Sequence, residues 1–334
     1  MPTPLRALTA VATALALASL AGCGQAARPA AAPVGAPVGA PGAVPGPEPA
    51  ASSAPPTTAA PILLPNAKPA PGATTGAPTP KPANTCPYPG SGFDCAMQRR
   101  IAAAEAYAHN RPGITGIVLR DRATGAVWRN EYAGSMIWTA STIKLAMTVD
   151  LFLRDRAGTV RLTSGDRDLI QRMLHSSDDD AADTLWFRYA GADHLTFNRD
   201  FPRYGMTSLQ PQRGFTEYYP YWGFQKCTAD DLDRLVNYVL TRLPADLRTY
   251  IVGQLRTVAA NQQWGVWGAG PAWRPGNKDG WSLEQGGWVM NSVGFVGPGE
   301  RYTLALMNSL RGQGGYDAGR QTDTHLAALL FGTA

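Results

Sequence analysis

A serine and a lysine three residues apart could carry out nucleophilic chemistry. Ser141 and Lys144 open a strongly apolar run that is typical of a helix, and residues three apart on a helix are neighbours on one face. A serine hydroxyl becomes an effective nucleophile when a base accepts its proton, and a lysine with a lowered pKa can be that base. The helix N-terminus and an apolar cleft both lower a lysine pKa. Because such pairs also occur by chance, the meaning of this one depends on the motifs that follow it.

Two further motifs follow this pair along the chain. Ser177 and Asp179 belong to the run Ser-Asp-Asp before an apolar helical segment, and Lys278 and Gly280 bound the run Lys-Asp-Gly before a late pair of strands. The three-part arrangement resembles the penicillin-recognising serine hydrolases, namely class A β-lactamases and DD-peptidases, whose motifs are S-x-x-K, S-D-N and K-T-G. The resemblance covers residues 96–331.

The resemblance implies a role for each motif. Ser141 would attack an amide or lactam carbonyl and become acylated, and Lys144 would accept its proton. Ser177 would relay a proton to the leaving nitrogen, while Lys278 would supply positive potential near the substrate. The backbone N–H groups of Ser141 and Trp281 would form an oxyanion hole, in which one donor can contribute about 10²–10³-fold in rate.

Two motif positions depart from the family. Asp179 stands where the family has asparagine, whose amide can donate to a substrate carbonyl, whereas an ionised carboxylate only accepts. Asp279 replaces the threonine or serine that would bind a substrate carboxylate, and its charge would repel one. We therefore expect an unusually acidic cleft. The residues expected to bind substrate are Asp179, Lys278, Asp279, Gly280 and Trp281.

A glutamate suited to deacylation is hard to identify. Class A β-lactamases use one to activate the water that hydrolyses the acyl-enzyme. The stretch 214–223 contains Glu217 but no Glu-x-x-Leu-Asn pattern, and a lone surface glutamate is more often simply solvated. Glu217 is thus a possible deacylation base, and we expect acylation to be retained but deacylation to be slow.

The elements around these motifs indicate an α+β fold. Strands stand at both ends of the folded part and helices fill its middle, an order that favours an antiparallel sheet flanked by helices. The resemblance implies the β-lactamase/transpeptidase-like form, with a five-stranded sheet and a helical subdomain over about 141–255. Strands are predicted over 114–121, 126–130, 287–296 and 301–308, and helices over 96–109, 166–189 with an interruption at 175–178, 228–243 and 318–331.

The N-terminal part of the chain has the pattern of a lipoprotein precursor. Residues 1–22 carry one early charge, Arg6, then an apolar run too short to span a bilayer comfortably, as in a secretory signal. Cys23 resembles the lipid-modified cysteine of bacterial lipoproteins, although an ordinary cleaved signal with an incidental cysteine is the alternative. Residues 23–84 are rich in Ala, Pro and Gly and are predicted to be a disordered tether, followed by the hydrolase domain over 85–334.

The remaining three cysteines predict one disulfide. Cys86 and Cys95 flank a Pro/Gly-rich loop, and disulfides persist outside the cytoplasm, so these two are the expected pair. Cys227 would then be a buried free thiol, since an odd count leaves one cysteine free or intermolecular.

Charge and histidine placement narrow the function further. The net charge of +5 is spread along the chain without a basic block, so no nucleic-acid partner is predicted. The four histidines lack metal-ligand spacing, so neither a metal nor a cofactor is expected. The sequence thus predicts a serine hydrolase, lipid-anchored through Cys23 outside the bacterial cell membrane, that acts on a β-lactam or a peptidoglycan-type peptide. The alternative is a weakly active or inactive binding or scaffold lipoprotein of the cell wall.

Overall fold

The computed structural model describes residues 85–213, 219–284 and 286–332. The predicted signal, Cys23, the predicted tether and Glu217 lie outside these residues. Within them, no helix has the length and apolar character needed to cross a membrane.

The described residues form strands and helices in a mixed order along the chain. The strands are β1 (Ile114–Asp121), β2 (Val127–Arg129), β3 (Ile137–Trp138), β4 (Gln210–Pro211), β5 (Gln225–Cys227), β6 (Gly276–Glu284), β7 (Gly287–Val296) and β8 (Tyr302–Ser309). The helices are α1 (Cys95–His109), α2 (Ile143–Arg156), α3 (Ser164–His175), α4 (Asp179–Tyr189), α5 (Thr196–Asp200), α6 (Ala229–Thr241), α7 (Ala245–Arg256) and α8 (Tyr316–Phe331).

An antiparallel five-stranded sheet forms the centre of the fold, with the strand order β2-β1-β8-β7-β6, and a smaller three-stranded sheet has the order β3-β5-β4. The predicted α+β class and five-stranded sheet are confirmed.

The sheet separates two apolar cores because successive side chains of a strand point to opposite faces. On β1, Ile117 and Leu119 pack with residues of α1 and α8, such as Leu326. Val118 between them packs on the other face, with the helices from α2 to α7. β6 forms one edge of this sheet and packs against the turn Ala140–Thr142 that precedes α2.

Local sequence signals account for several element boundaries. Thr228 caps α6 through a reciprocal pair of hydrogen bonds with Asp231, in which each side chain accepts from the other residue's backbone N–H. Cys95, the first residue of α1, forms a disulfide with Cys86, nine residues earlier in the chain. Cys227 is a buried free thiol whose Sγ lies 3.8 Å from the Sδ of Met307.

Candidate active site

Ser141 lies in a 3-10 turn, Ala140–Thr142, that leads directly into α2. Ala140 adopts a positive φ of 43°, a conformation that costs a non-glycine residue about 1–3 kcal/mol. The turn packs against β6 so closely that a Cβ atom on Gly280 would lie 2.7 Å from the backbone nitrogen of Ser141. Glycine at this position therefore lets the edge strand approach the candidate nucleophile.

A side chain from the neighbouring strand anchors the same turn. The Asn291 Nδ2 donates to the carbonyls of Trp138 and Thr139, at 2.8 and 3.1 Å. These bonds tie β7 to the two residues that precede the turn, so the position of Ser141 relative to the sheet is fixed on both sides. Asn291 lies outside the three sequence motifs, so no local pattern indicated its part in the site.

Three groups of the protein surround the Nζ of Lys144. Its Nζ donates to the carbonyl of Ser177 at 2.7 Å and to the carboxylate of Asp179, and it lies 4.5 Å from the centre of the Trp222 ring. Within the described part of the chain, no hydrogen bond joins it to Ser141. Burial lowers the pKa of Lys144 below its usual range, and the Asp179 carboxylate opposes that shift.

Ser177 connects the two lysines of the motifs. Its Oγ accepts from the Nζ of Lys278 at 2.8 Å and lies 3.5 Å from the Nζ of Lys144. Ser177 has a φ of 59°, so it is, with Ala140, a second residue beside the site in the left-handed backbone region. Burial and the nearby charge of Lys144 hold the pKa of Lys278 well below its usual range. The structure thus brings together side chains from all three predicted motifs.

The free edge of β6 directs backbone N–H groups towards this site. In an antiparallel edge strand, every second residue points its N–H and C=O away from the sheet. The carbonyl of Asp279 accepts from the Nζ of Lys278 at 2.7 Å, so the backbone of Asp279 points outwards, as does that of Trp281 two residues later. The N–H of Trp281 therefore lies at the free edge of β6, and β6 packs against the turn that contains Ser141.

The side chain of Asp279 does not face the cleft. It is fully buried, lies opposite Ser292 of β7 and accepts from the Nδ2 of Asn277 at 2.6 Å. Because Lys278 points into the site, its strand neighbour points to the other face of the sheet. The expectation that Asp279 makes the cleft acidic and repels a substrate carboxylate there is therefore wrong. Burial raises the pKa of the Asp279 carboxyl well above its usual value.

A cleft of about 250 Å³ lies beside Ser141. Asp179 stands in it with 71% of its side chain exposed. Asp178, by contrast, caps α4 through the N–H of Ala181 and pairs with Arg172, so its role is structural. The residues that line the cleft are Ala140, Ser141, Asp179, Tyr221, Trp222, Gly223, Phe224, Trp281 and Ser282.

Three aromatic residues, Tyr221, Trp222 and Phe224, form one wall of this cleft and were not predicted as site residues. Tyr221 and Trp222 contact each other, with ring centres 5.2 Å apart, and Phe224 packs on Tyr221. The Trp222 Nε1 donates to the Asp183 carboxylate at 2.6 Å, which orients its ring over Lys144. The dense run of aromatic residues after residue 218 was the available signal.

No family model matches this chain, whereas curated relatives and solved structures do. Curated relatives from Mycobacterium tuberculosis and Mycobacterium bovis, each named "Putative lipoprotein LppW", are 29% identical over 220 residues, which cover 63% of this chain and 68% of the relative.

Solved structures of β-lactamases show the same fold at low sequence identity. A β-lactamase from Xanthomonas campestris aligns with a TM-score of 0.58 and 18% identity, covering 70% of this chain and 97% of that one. One from Streptosporangium roseum gives 0.57 and 17% over the same shares, and an ancestral class A β-lactamase gives 0.56 and 16%, over 70% of this chain and 98% of that one. The chain has the β-lactamase fold that the motifs predicted.

Proposed function

We propose that this chain is a serine hydrolase that forms an acyl-enzyme on Ser141. The observation that carries the proposal is the position of the Ser177 hydroxyl, which lies 2.8 Å from the Nζ of Lys278 and 3.5 Å from the Nζ of Lys144. These residues are far apart in the sequence, and their convergence beside the Ser141 cleft provides a path for a proton between nucleophile and leaving group.

The proposed reaction follows from these contacts. The Oγ of Ser141 attacks the carbonyl carbon of an amide or lactam, and its proton passes to the neutral amine of Lys144. The N–H groups of Ser141 and Trp281 stabilise the oxyanion. When the C–N bond breaks, the leaving nitrogen takes the proton from Lys144 through the Ser177 hydroxyl, which Lys278 holds in place. Water later cleaves the ester and restores the serine.

The proposed acyl donors are a β-lactam or a peptidoglycan-type peptide, with slow deacylation. Asp179 is the one carboxylate among the described residues that line the cleft, and it is paired with Lys144. Its Oδ1 is hydrogen-bonded to Lys144, the base proposed for acylation, so the carboxylate is poorly placed to act as a separate general base for water. The acyl-enzyme is therefore expected to persist.

Intact-mass spectrometry tests this function. The protein is incubated with a neutral fluorophosphonate and, separately, with a reporter penicillin, and the adduct is mapped by peptide sequencing. The proposal expects an adduct on Ser141 that is absent from Ser141→Ala. No adduct with either reagent would refute the hydrolase function, and release of the penicilloyl group within seconds would refute slow deacylation.

A second candidate is a cell-wall binding or scaffold protein without turnover. It is favoured by the ion pair between Lys144 and Asp179, which holds the lysine as an ammonium that cannot accept the serine proton. In this case, peptidoglycan fragments would bind saturably in calorimetry, and neither reagent would label Ser141.

We also propose that Cys23 carries a lipid that anchors the domain outside the cell membrane. The signal-like residues 1–22 and the lipoprotein name of the mycobacterial relatives support this proposal. Metabolic labelling with an alkyne fatty acid should mark the full chain expressed in a bacterium, and the protein should enter the detergent phase of Triton X-114. Cys23→Ala should lose both properties, and their retention would contradict the anchor.

A further inference from the structure

The Ser141 cleft carries a negative charge, which would repel an anionic substrate. Among the described residues that line it, Asp179 is the one charged side chain. It uses one carboxylate oxygen, Oδ1, to bind Lys144, while most of the side chain remains exposed. The second oxygen is therefore available to a group that enters the cleft.

The two nearby lysines do not offset this charge for a ligand. Lys144 and Lys278 have 0% and 1% of their surface exposed, and both donate to groups of the protein, including Ser177 and Asp179. A substrate carboxylate in the cleft would meet Asp179 directly, with no exposed cation among the lining residues to pair with it.

The wall beside Asp179 already contacts the amino group of a lysine. The Nζ of Lys144 lies between the Asp179 carboxylate and the face of Trp222, 4.5 Å from the ring centre. Aromatic faces attract cations through their quadrupole, and Tyr221, whose ring centre lies 5.2 Å from that of Trp222, lines the same cleft. A carboxylate with adjacent aromatic rings is the usual chemistry of a site for an organic cation.

We propose that the cleft selects acyl donors that carry a cationic amine near the scissile carbonyl, bound by Asp179, and discriminates against donors with a carboxylate in that place. The proposal rests on the proposed acylation of Ser141 and narrows its substrates. It favours a peptide-type donor with an ammonium group beside Asp179 over a donor with a carboxylate in that position.

Three 4-nitrophenyl esters of matched length test this selectivity. Their acyl groups are 4-(trimethylammonio)butanoyl, its neutral isostere 5,5-dimethylhexanoyl, and the anionic 4-carboxybutanoyl. In each reaction, the Ser141 Oγ–carbonyl bond forms, the C–O bond to 4-nitrophenolate breaks, and the serine proton passes to Lys144 and then to solvent. The release of nitrophenolate gives the second-order rate constant of acylation, and the mass of the adduct identifies Ser141.

The expected order is cationic, neutral, anionic, with roughly tenfold between the first two, as one cation–π contact with charge pairing can supply. In Asp179→Asn, the ratio of cationic to neutral should fall to about threefold or less. Asp180→Asn is the matched control, because it removes the same charge from the next residue, which is exposed and does not line the cleft. It should keep the ratio of the unaltered protein.

Each outcome decides one proposal. If no ester labels Ser141, the proposed hydrolase function fails. If all three label Ser141 at equal rates, or if Asp180→Asn lowers the ratio as much as Asp179→Asn does, the cation selectivity is refuted while the hydrolase function stands.

Discussion

The Nζ of Lys144 is hydrogen-bonded to the carboxylate of Asp179 and not to the hydroxyl of Ser141. Burial favours the neutral amine of Lys144, and the carboxylate favours its ammonium form. The balance between these two effects decides how much of the protein holds Lys144 in the form that can accept the serine proton. Asp179 thus has two effects: it places a negative charge in the cleft, and it raises the fraction of Lys144 that is protonated.

Replacing Asp179 with asparagine should shift the pH dependence of acylation to lower pH. Acylation rises with pH as Lys144 loses its proton, and removing the carboxylate lowers the pKa of Lys144 further, so the rise should begin earlier. At pH 7 a neutral fluorophosphonate should react about fivefold faster, which corresponds to about 1 kcal/mol, the upper end for exposed ion pairs. A pH series of labelling rates checks this, with Asp180→Asn as the control. A shift to higher pH would contradict the role given to Lys144.

Replacing Gly280 with alanine should slow acylation while the protein stays folded. The added Cβ would lie 2.7 Å from the backbone nitrogens of both Ser141 and Thr142, so β6 and the turn must separate and the oxyanion donors move. A displacement of this kind can cost about 10²-fold in rate. Gly253→Ala in α7 is the matched control, because its Cβ would meet no atom within 4 Å. Equal labelling rates of the two variants would exclude the proposed oxyanion hole.

The motifs and the apolar strands could be predicted from the sequence because their signals are local. The predicted strand at 114–121 coincides with β1, where a continuous apolar run is buried on both faces of the sheet. The helix predicted over 228–243 begins at Thr228, the residue that caps α6. The family resemblance carried by the three motifs, their order and the elements around them predicted the fold.

What could not be predicted depends on contacts between distant parts of the chain. The first five residues of β6, Gly276 to Gly280, are glycine or polar, so this strand lacks the apolar pattern of a strand, although it occupies the edge of the sheet. The direction of the Asp279 side chain follows from the register of β6 with β7, which no local pattern reveals. The ring of Trp222 contacts the Nζ of Lys144 although the two residues lie far apart in the sequence.

Cys227 should be unreactive in the folded protein. It is fully buried and burial raises the pKa of its thiol well above the usual value, so little thiolate is available for reaction. In Cys23→Ala, a thiol reagent such as DTNB should count no reactive thiol in buffer and one in denaturant without reductant, since Cys86 and Cys95 are bonded. A thiol that reacts within minutes in buffer would contradict this burial.

Asp279 should make the stability of the protein depend on pH. Its carboxyl is fully buried, one oxygen has no hydrogen-bond partner among the described residues, and burial raises its pKa well above the usual value. The folded state therefore holds this proton more tightly than the unfolded chain does. The associated stability is fully present below the unfolded pKa of about 3.9 and is lost as pH rises through the folded pKa.

Asp279→Asn removes this titration, because an amide stays neutral throughout. The free energy of unfolding of the unaltered protein should fall relative to that of Asp279→Asn as the pH rises from about 4 to 9, as measured by urea denaturation at each pH. Asp180→Asn, which changes an exposed carboxylate at the start of α4, should run parallel to the unaltered protein over the same range. If Asp279→Asn also runs parallel to it, the carboxyl of Asp279 is ionised in the folded state, and the neutral, buried side chain inferred for the far face of β6 is wrong.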